Sequence, residues 1–207
     1  IPADDLFSVA DPQPTAKLRD GQLPLADVLA ALKPVLEDPA ILKIGQNIKY
    51  DMQILVRYGV QITPVDDTML LSYVLDAGRG NHGMDDLAEK HLGLQTTKFT
   101  DVTGTGRNKI TFAEVELEAA RDYAAEDADV TLRLHQLLKQ RLIDETLVRV
   151  YETFERPLIT VLEQMERHGV KVDITTLKRM SDDFASRLAE LETVIYKLAG
   201  REFTIGS

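Results

Sequence analysis

Apolar residues along the chain fall into blocks of helical spacing, separated by short polar or glycine-rich breaks. Leu25, Val28, Leu29, Leu32 and Leu36 recur at intervals of three and four, which places them on one face of a helix entered from Leu23, with Pro34 bending or ending it. The run ILKIG at 41–45 reads as a short strand. Ile48, Met52, Leu55 and Val56 share the next helical face, and Gly59 is its stop. Residues 60–65 extend back as a strand. Asp67-Thr68 has the form of a cap for a helix through Met69, Leu70, Tyr73 and Leu75, which the glycines of DAGRGNHG end.

The second half is more helical. Residues 85–92 form a short helix, and residues 93–111, with several Gly and Thr, form a connection long enough to be functional or mobile. From Thr111 or Phe112 to about Ile143 the apolar positions Leu117, Ala120, Ala124, Ala128, Leu132, Leu134, Leu137 and Leu138 predict one long helix or two merging ones. Residues 145–168 continue helically to Gly169, where VKV reads as a brief strand. Asp173 starts a last helix to about Ala199, and FTI at 203–205 is expected to pair with VKV. Residues 1–22, with Pro12 and Pro14, read as a loop or arm. No internal repeat is present.

Composition narrows the classes. A chain of 207 residues, 44% hydrophobic, with 12 Gly and 8 Pro, suits one ordinary domain plus part of a second. No stretch approaches the about 20 consecutive apolar residues of a membrane span, so no membrane partner is expected. The first 20 residues lack the basic and apolar regions of a signal peptide. With no Cys there is neither a thiolate metal site nor a Cys nucleophile, and a reducing cytoplasm is the default. A formal charge of -10 argues against gripping nucleic acid by bulk electrostatics. It leaves room for a metal-dependent enzyme, because a carboxylate site is acidic until its divalent ions arrive.

Two short stretches carry candidate chemistry. In QNIKYD, Asn47 and Asp51 stand four apart and on a helix share a face; in YAAEDADVT, Tyr123 and Asp127 repeat that spacing. The small residues Ala124, Ala125 and Ala128 would let the second helix approach another element closely. Either pair alone is also what solvated or capping residues look like. Asp66-Asp67 reads as a helix cap before it reads as a metal site, and Glu126 and Asp129 point to other faces of the helix than Asp127. Lys49 is either a phosphate contact or an ordinary exposed lysine.

ILKIGQNIKYDMQIL, DDTMLLSYVLDAGRGNHGMDDLAEKHLG and YAAEDADVTLRLH together resemble the proofreading 3'-5' exonuclease domain of bacterial DNA polymerase I, the family A polymerases. This is a DEDD exonuclease domain of the subclass with Tyr in its third motif. The similarity runs from about Leu23 to Leu142, and the segment from ERPLITVLEQMERHGVKVD onward is similar to the start of the polymerase region. The resemblance implies an α/β ribonuclease H-like fold, here helix-rich and without its first strands, followed by thumb-type helices. It divides the chain into a partial exonuclease domain at 1–144 and the start of the polymerase domain at 145–207.

The resemblance also assigns roles. Asp127 would ligate the metal that activates the attacking water, Asp51 would hold the second metal, and Tyr123 would orient the water. Asn47 and Tyr50 would lie beside the terminal nucleotide, and Phe99 would contact single-stranded DNA. His82 stays open between a loop histidine bonded to neighbouring backbone and a DNA contact, and Asn81 stands where many relatives carry a basic residue. The implied cofactors are two divalent ions, Mg2+ or Mn2+. The implied partners are a single-stranded 3' end of DNA and the rest of the polymerase chain, in a cytoplasmic, nucleoid-associated setting.

One departure stands out. The family's first two acidic ligands come from an Asp-x-Glu on an apolar strand upstream of ILKIG, and none of Asp4, Asp5, Asp11, Asp20 and Asp27 forms one. Ile1-Pro2 itself looks like the tail of that domain's third strand. The chain is therefore expected to be a piece truncated at both ends, inactive and unstable by itself. Two competing readings remain: a catalytically dead domain that supports the polymerase, and a helical interaction module unrelated to nucleic acid.

Overall fold

The computed structural model describes Leu18 and residues 20–206. Most of the expected N-terminal arm, with Ile1-Pro2, lies outside the described residues. The chain divides into two compact units, the first running to Arg167 and the second from His168.

The first unit is organised around two short parallel strands, β1 (Lys43–Gly45) and β2 (Val65–Asp67), with Lys43, Ile44 and Gly45 opposite Val65, Asp66 and Asp67. Parallel strands need a crossover, supplied here by α2 (Ile48–Leu55) and a 3-10 turn at Val56–Tyr58. Gly59 closes that turn at φ 74°, the left-handed conformation that favours glycine. Residues 60–64, expected as strand, are not extended in a ladder. Val60 and Ile62 are buried while the N–H groups of Gln61 and Thr63 donate to the Glu37 carboxylate and to Leu36 O respectively, and the register with β1 begins at Val65.

Helix α1 (Leu25–Leu36) runs two residues past Pro34, so the proline removes one bond from its last turn without ending it. Helix α3 (Thr68–Asp76) starts on Asp67, whose side chain accepts from Met69 N as the cap reading expected. Then come α4 (Met84–Leu92), α5 (Phe99–Thr103) inside the long connection, and α6 (Leu117–Asp144). Helix α6 begins later than Phe112 because Phe112–Glu114 form a separate 3-10 turn, capped by Thr111 and Glu114. After α7 (Val148–Val150) the helix widens to a π turn over Tyr151–Glu155 and narrows again into α8 (Arg156–His168).

Helix α6 is the spine of this unit. Val130, Leu134, Leu138 and Leu142 pack with Leu71 of α3, Leu87 and Ala88 of α4, and Tyr151. A second cluster joins Ile48 and Met52 of α2 to Ile62, Val65 and Ile159 of α8. Between the clusters lies a buried charge group. Asp66, fully buried, receives His135 Nε2 at 2.8 Å, Lys139 Nζ at 3.1 Å and Arg156 Nε at 3.1 Å, and the Tyr151 hydroxyl donates to it at 3.3 Å. Glu152 neutralises the surplus, accepting from Lys139 and Arg156 at 2.7 Å each. Burial pushes the Asp66 carboxyl up, but the hydrogen bonds from His135 and Lys139 and the charges of Lys139 and Arg156 outweigh it and hold it below the usual carboxylate range.

The second unit holds α9 (Ile174–Ala199), started by Asp173, which accepts from Thr176 N at 3.0 Å, and closed by Gly200 at φ 68°. The expected VKV–FTI strand pair does not form. Val170 is 88% exposed with no ladder partner, and Phe203 instead packs its ring against Tyr196, whose hydroxyl donates to Phe203 O at 3.1 Å.

Replacing Asp66 by Asn strips the charge that Lys139, Arg156 and His135 converge on. Breaking such a buried pair costs about 3–5 kcal/mol, toward the lower end here because Lys139 and Arg156 are part-exposed. Since the folded carboxyl titrates below its unfolded value of about 3.9, the stabilisation is complete above that pH and lost as pH falls through the folded value. Urea unfolding of wild type and Asp66→Asn should show a gap at neutral pH that narrows below about pH 4.

Candidate active site

In parallel α/β structures ligands settle outside the carboxyl ends of the strands. Here β1 ends at Gly45 and β2 at Asp67, directly opposite each other, so both following helices start at one edge. An open pocket of about 420 Å3 lies there, lined by Gly45, Gln46, Asp51, Met84, Asp127 and Thr131 among others. Asp51 from α2 and Asp127 from α6, 76 positions apart in sequence, thus face one cavity.

Each carboxylate is short of compensation. Partial desolvation pushes the Asp51 carboxyl up, against its own backbone N–H, and the Asp67 charge adds to the rise. Desolvation likewise raises Asp127; the Tyr123 hydroxyl lowers it, and the charges of Asp85 and Glu126 raise it again. Asp127 Oδ1 is buried without a hydrogen-bond partner. Tyr123 stands one turn before Asp127 on α6, and desolvation together with the Asp127 charge pushes its hydroxyl up to about 12.

The pair fits a small hard cation. Mg2+ is commonly held by one or two carboxylates, with water and substrate phosphate completing the shell. An orphaned buried carboxylate oxygen on a pocket that a second carboxylate also lines is a donor set of that kind. Among the described residues no group of three or more His, Asp or Glu side chains is placed to hold a metal, and Asp51 and Asp127 are the acids that line this pocket.

The other sequence candidates are distributed around the pocket. Asn47 does not share a helical face with Asp51: it precedes α2 in the left-handed conformation, φ 56°, because the chain must turn sharply off β1. Tyr50 is on α2 and 62% exposed. Phe99 stacks on Phe112 at 5.8 Å between centroids, and both meet the Tyr123 ring edge-on at 6.2 and 5.8 Å. His82 is engaged within the fold, its Nδ1 2.9 Å from Ser72 Oγ, its carbonyl accepting from Gln46 Nε2 at 2.8 Å and its ring edge-on to Tyr73. Lys49 is paired with Glu166, Glu126 accepts from Thr97 N at 2.8 Å, and Asp129 pairs with Arg133. Ala124, Ala125 and Ala128 of α6 are exposed, and Ala128 lines the pocket with Ile44 and Gly45 of β1.

Sequence reasoning passed over several participants. Phe112 was legible only as a helix start, though an aromatic 13 positions after Phe99 and 11 before Tyr123 was a signal. Thr131, His135 and Lys139 continue the stripe of Asp127 at four-residue spacing, so a single face of α6 runs from the pocket to the buried Asp66. Gly45 is needed because a Cβ there would lie 2.8 Å from Ile48 Cβ.

The comparisons with known proteins fit this geometry. The family model for the 3'-5' exonuclease of DNA polymerase A matches residues 13–143. The chain belongs to that exonuclease family. DNA polymerase I of Rhizobium leguminosarum is 52% identical over 92% of the chain, and that of Pseudomonas aeruginosa 47% over 90%. The chain spans about a fifth of the length of these curated relatives, 19% and 21%. Among solved structures, the POL domain of Pol1 from M. smegmatis, in complex with DNA primer-template and dNTP, superposes with a TM-score of 0.69 at 24% identity, covering 92% of this chain and 30% of that one. Brucella melitensis NrnC superposes at 0.57 with 23% identity, covering 69% and 67%. The exonuclease fold is thus the expected ribonuclease H-like, helix-rich α/β type, with few strands among the described residues.

Gly45→Ala tests how tightly the pocket edge is built. The added methyl must push Ile48 and with it the start of α2, an overpacking that costs about 1–3 kcal/mol. A thermal melt within a degree of wild type would show that α2 yields freely.

Proposed function

We propose that this chain is the exonuclease portion of a DNA polymerase I and that it removes mispaired 3'-terminal nucleotides by metal-dependent phosphodiester hydrolysis during replication and repair. The observation that carries the reading is that Asp51 and Asp127, on separate helices, line one pocket in which Asp127 keeps a buried oxygen without a partner. Residues 1–144 are the exonuclease part in this reading, and residues 145–207 lead into the polymerase region. The setting is cytoplasmic, at the nucleoid.

Asp127 and Asp51 would be ligands of two divalent ions, Mg2+ or Mn2+. Such ions, when bound, stabilise the charge that develops on the attacking and leaving oxygens. Tyr123 orients the attacking water through its hydroxyl and is no base at neutral pH, since its proton is held up to about 12. Phe99, braced by Phe112, offers a half-exposed ring face to an unpaired terminal base, a contact that is indifferent to sequence. Asn47 and Tyr50, exposed at the start of α2, flank the terminal nucleotide, and His82 shapes the neighbouring loop within reach of the same strand. The competing reading, a support domain without catalysis, draws on the finding that among the described residues no three or more acidic or histidine side chains are placed together to hold a metal.

The test is release of mononucleotides from single-stranded DNA with Mg2+ by the full-length polymerase carrying this sequence. Activity that falls on the order of 10²-fold or more in Asp127→Asn and in Asp51→Asn, with DNA synthesis intact, is expected. No hydrolysis by the wild-type polymerase would leave the support reading standing.

A further inference from the structure

Asp51 can serve the site only if α2 starts in the right place, and α2 does not cap itself. Asn47 occupies the cap position, yet its side chain makes no capping bond. Its backbone is held at φ 56°, a conformation a non-glycine residue adopts at a cost and keeps only where surrounding contacts impose it. The first N–H groups of a helix have no partner within it and need one from elsewhere.

That partner is Asp67. Its Oδ1 accepts from Asn47 N at 3.0 Å and its Oδ2 from Ile48 N at 2.9 Å, while Oδ1 also accepts from Met69 N at 2.9 Å. One carboxylate therefore caps two helices: α3, which follows it in sequence, and α2, 20 residues earlier. The residue is 1% exposed, and its own N–H donates to the Tyr151 hydroxyl at 3.0 Å, so it is fixed from behind as well. The parallel register explains the reach, since Asp67 lies opposite Gly45, the last residue of β1 before the turn into α2.

We propose that Asp67 is a positioning residue for the exonuclease reaction: its carboxylate, by holding Asn47 and Ile48 through their backbone N–H groups, sets the position of Asp51 in the pocket without touching substrate. The proposal rests on the exonuclease reading above. Capping α3 alone would need one acceptor, and a serine or asparagine supplies that as well as an aspartate does. Two oxygens spread over three donors on two helices are what the second task requires. Reacting groups misplaced by about 1 Å lose on the order of 10²-fold in rate, so a small slide of α2 is enough to matter.

The experiment uses the full-length polymerase carrying this sequence, with Asp67→Ser, Asp67→Asn and, as a destabilised control far along α6, Leu142→Ala. Asp67→Ser keeps a cap for α3 but is too short to bridge to Asn47 and Ile48; Asp67→Asn keeps the shape and turns one acceptor into a donor. Three readouts are taken: kcat and KM on single-stranded DNA with Mg2+, DNA synthesis by the same preparations, and amide exchange in peptides covering 46–55 and 68–76. Both Asp67 variants should lose kcat by on the order of 10²-fold, with KM within a factor of about two. Exchange should quicken in 46–55 and stay slow in 68–76 for Asp67→Ser, DNA synthesis should persist, and Leu142→Ala should keep its kcat. Loss in KM rather than kcat, a loss no larger than that of Leu142→Ala, or unchanged exchange in 46–55 would overturn the proposal. A wild-type polymerase with no exonuclease activity would instead remove the functional reading, and the exchange result would still decide whether Asp67 holds α2.

Discussion

Two consecutive aspartates on β2 fix the positions of the two helices that meet at the pocket. Successive side chains of a strand point to opposite sides, so Asp66 and Asp67 reach in opposite directions from adjacent positions. Asp66 gathers His135 and Lys139 of α6 with Arg156 of α8; Asp67 gathers the first N–H groups of α2 and α3. Tyr151 touches both, donating to the Asp66 side chain and accepting from the Asp67 backbone. The distance between Asp127 on α6 and Asp51 on α2 is thus set by a strand of only three residues.

The cost of this arrangement falls where the chemistry is. Asp66 is compensated by four cationic or hydrogen-bonding side chains and its carboxyl is held low, whereas Asp51 and Asp127 are left with little and are pushed up. Removing a charge from water without partners is unfavourable, and the scaffold that holds Asp127 there is the apolar packing of α6 on α3 and α4. A divalent ion reverses that balance, because its charge is the largest in any site it enters. An acidic chain with formal charge -10 and a nuclease function are compatible for this reason.

Much of the helical framework was legible in the sequence, because periodic apolar residues and their caps act locally. Ile48, Met52 and Leu55 announced α2, Gly59 the close of the turn that continues it, and Asp173 the start of α9. Strands were less legible. Residues 60–64 look extended by composition, but pairing is a property of the partner, and β1 meets the chain only from Val65. VKV and FTI failed for the same reason, since nothing covers Val170 or Val172 to make a sheet worth forming. At the site, Asp51 and Tyr123–Asp127 were visible as motifs. The second duty of Asp67 was not, because a backbone contact across 20 residues leaves no trace in spacing.

The central claim is that Asp51 and Asp127 form one cation site at the carboxyl edge of the strand pair. Anomalous diffraction from crystals of the full-length polymerase soaked in Mn2+ tests it directly. The account predicts a peak about 2.1 Å from a carboxylate oxygen of Asp127, inside the pocket it shares with Asp51, and its loss in Asp127→Asn. A pocket free of anomalous density in the wild type, or Mn2+ bound away from both residues, would contradict it.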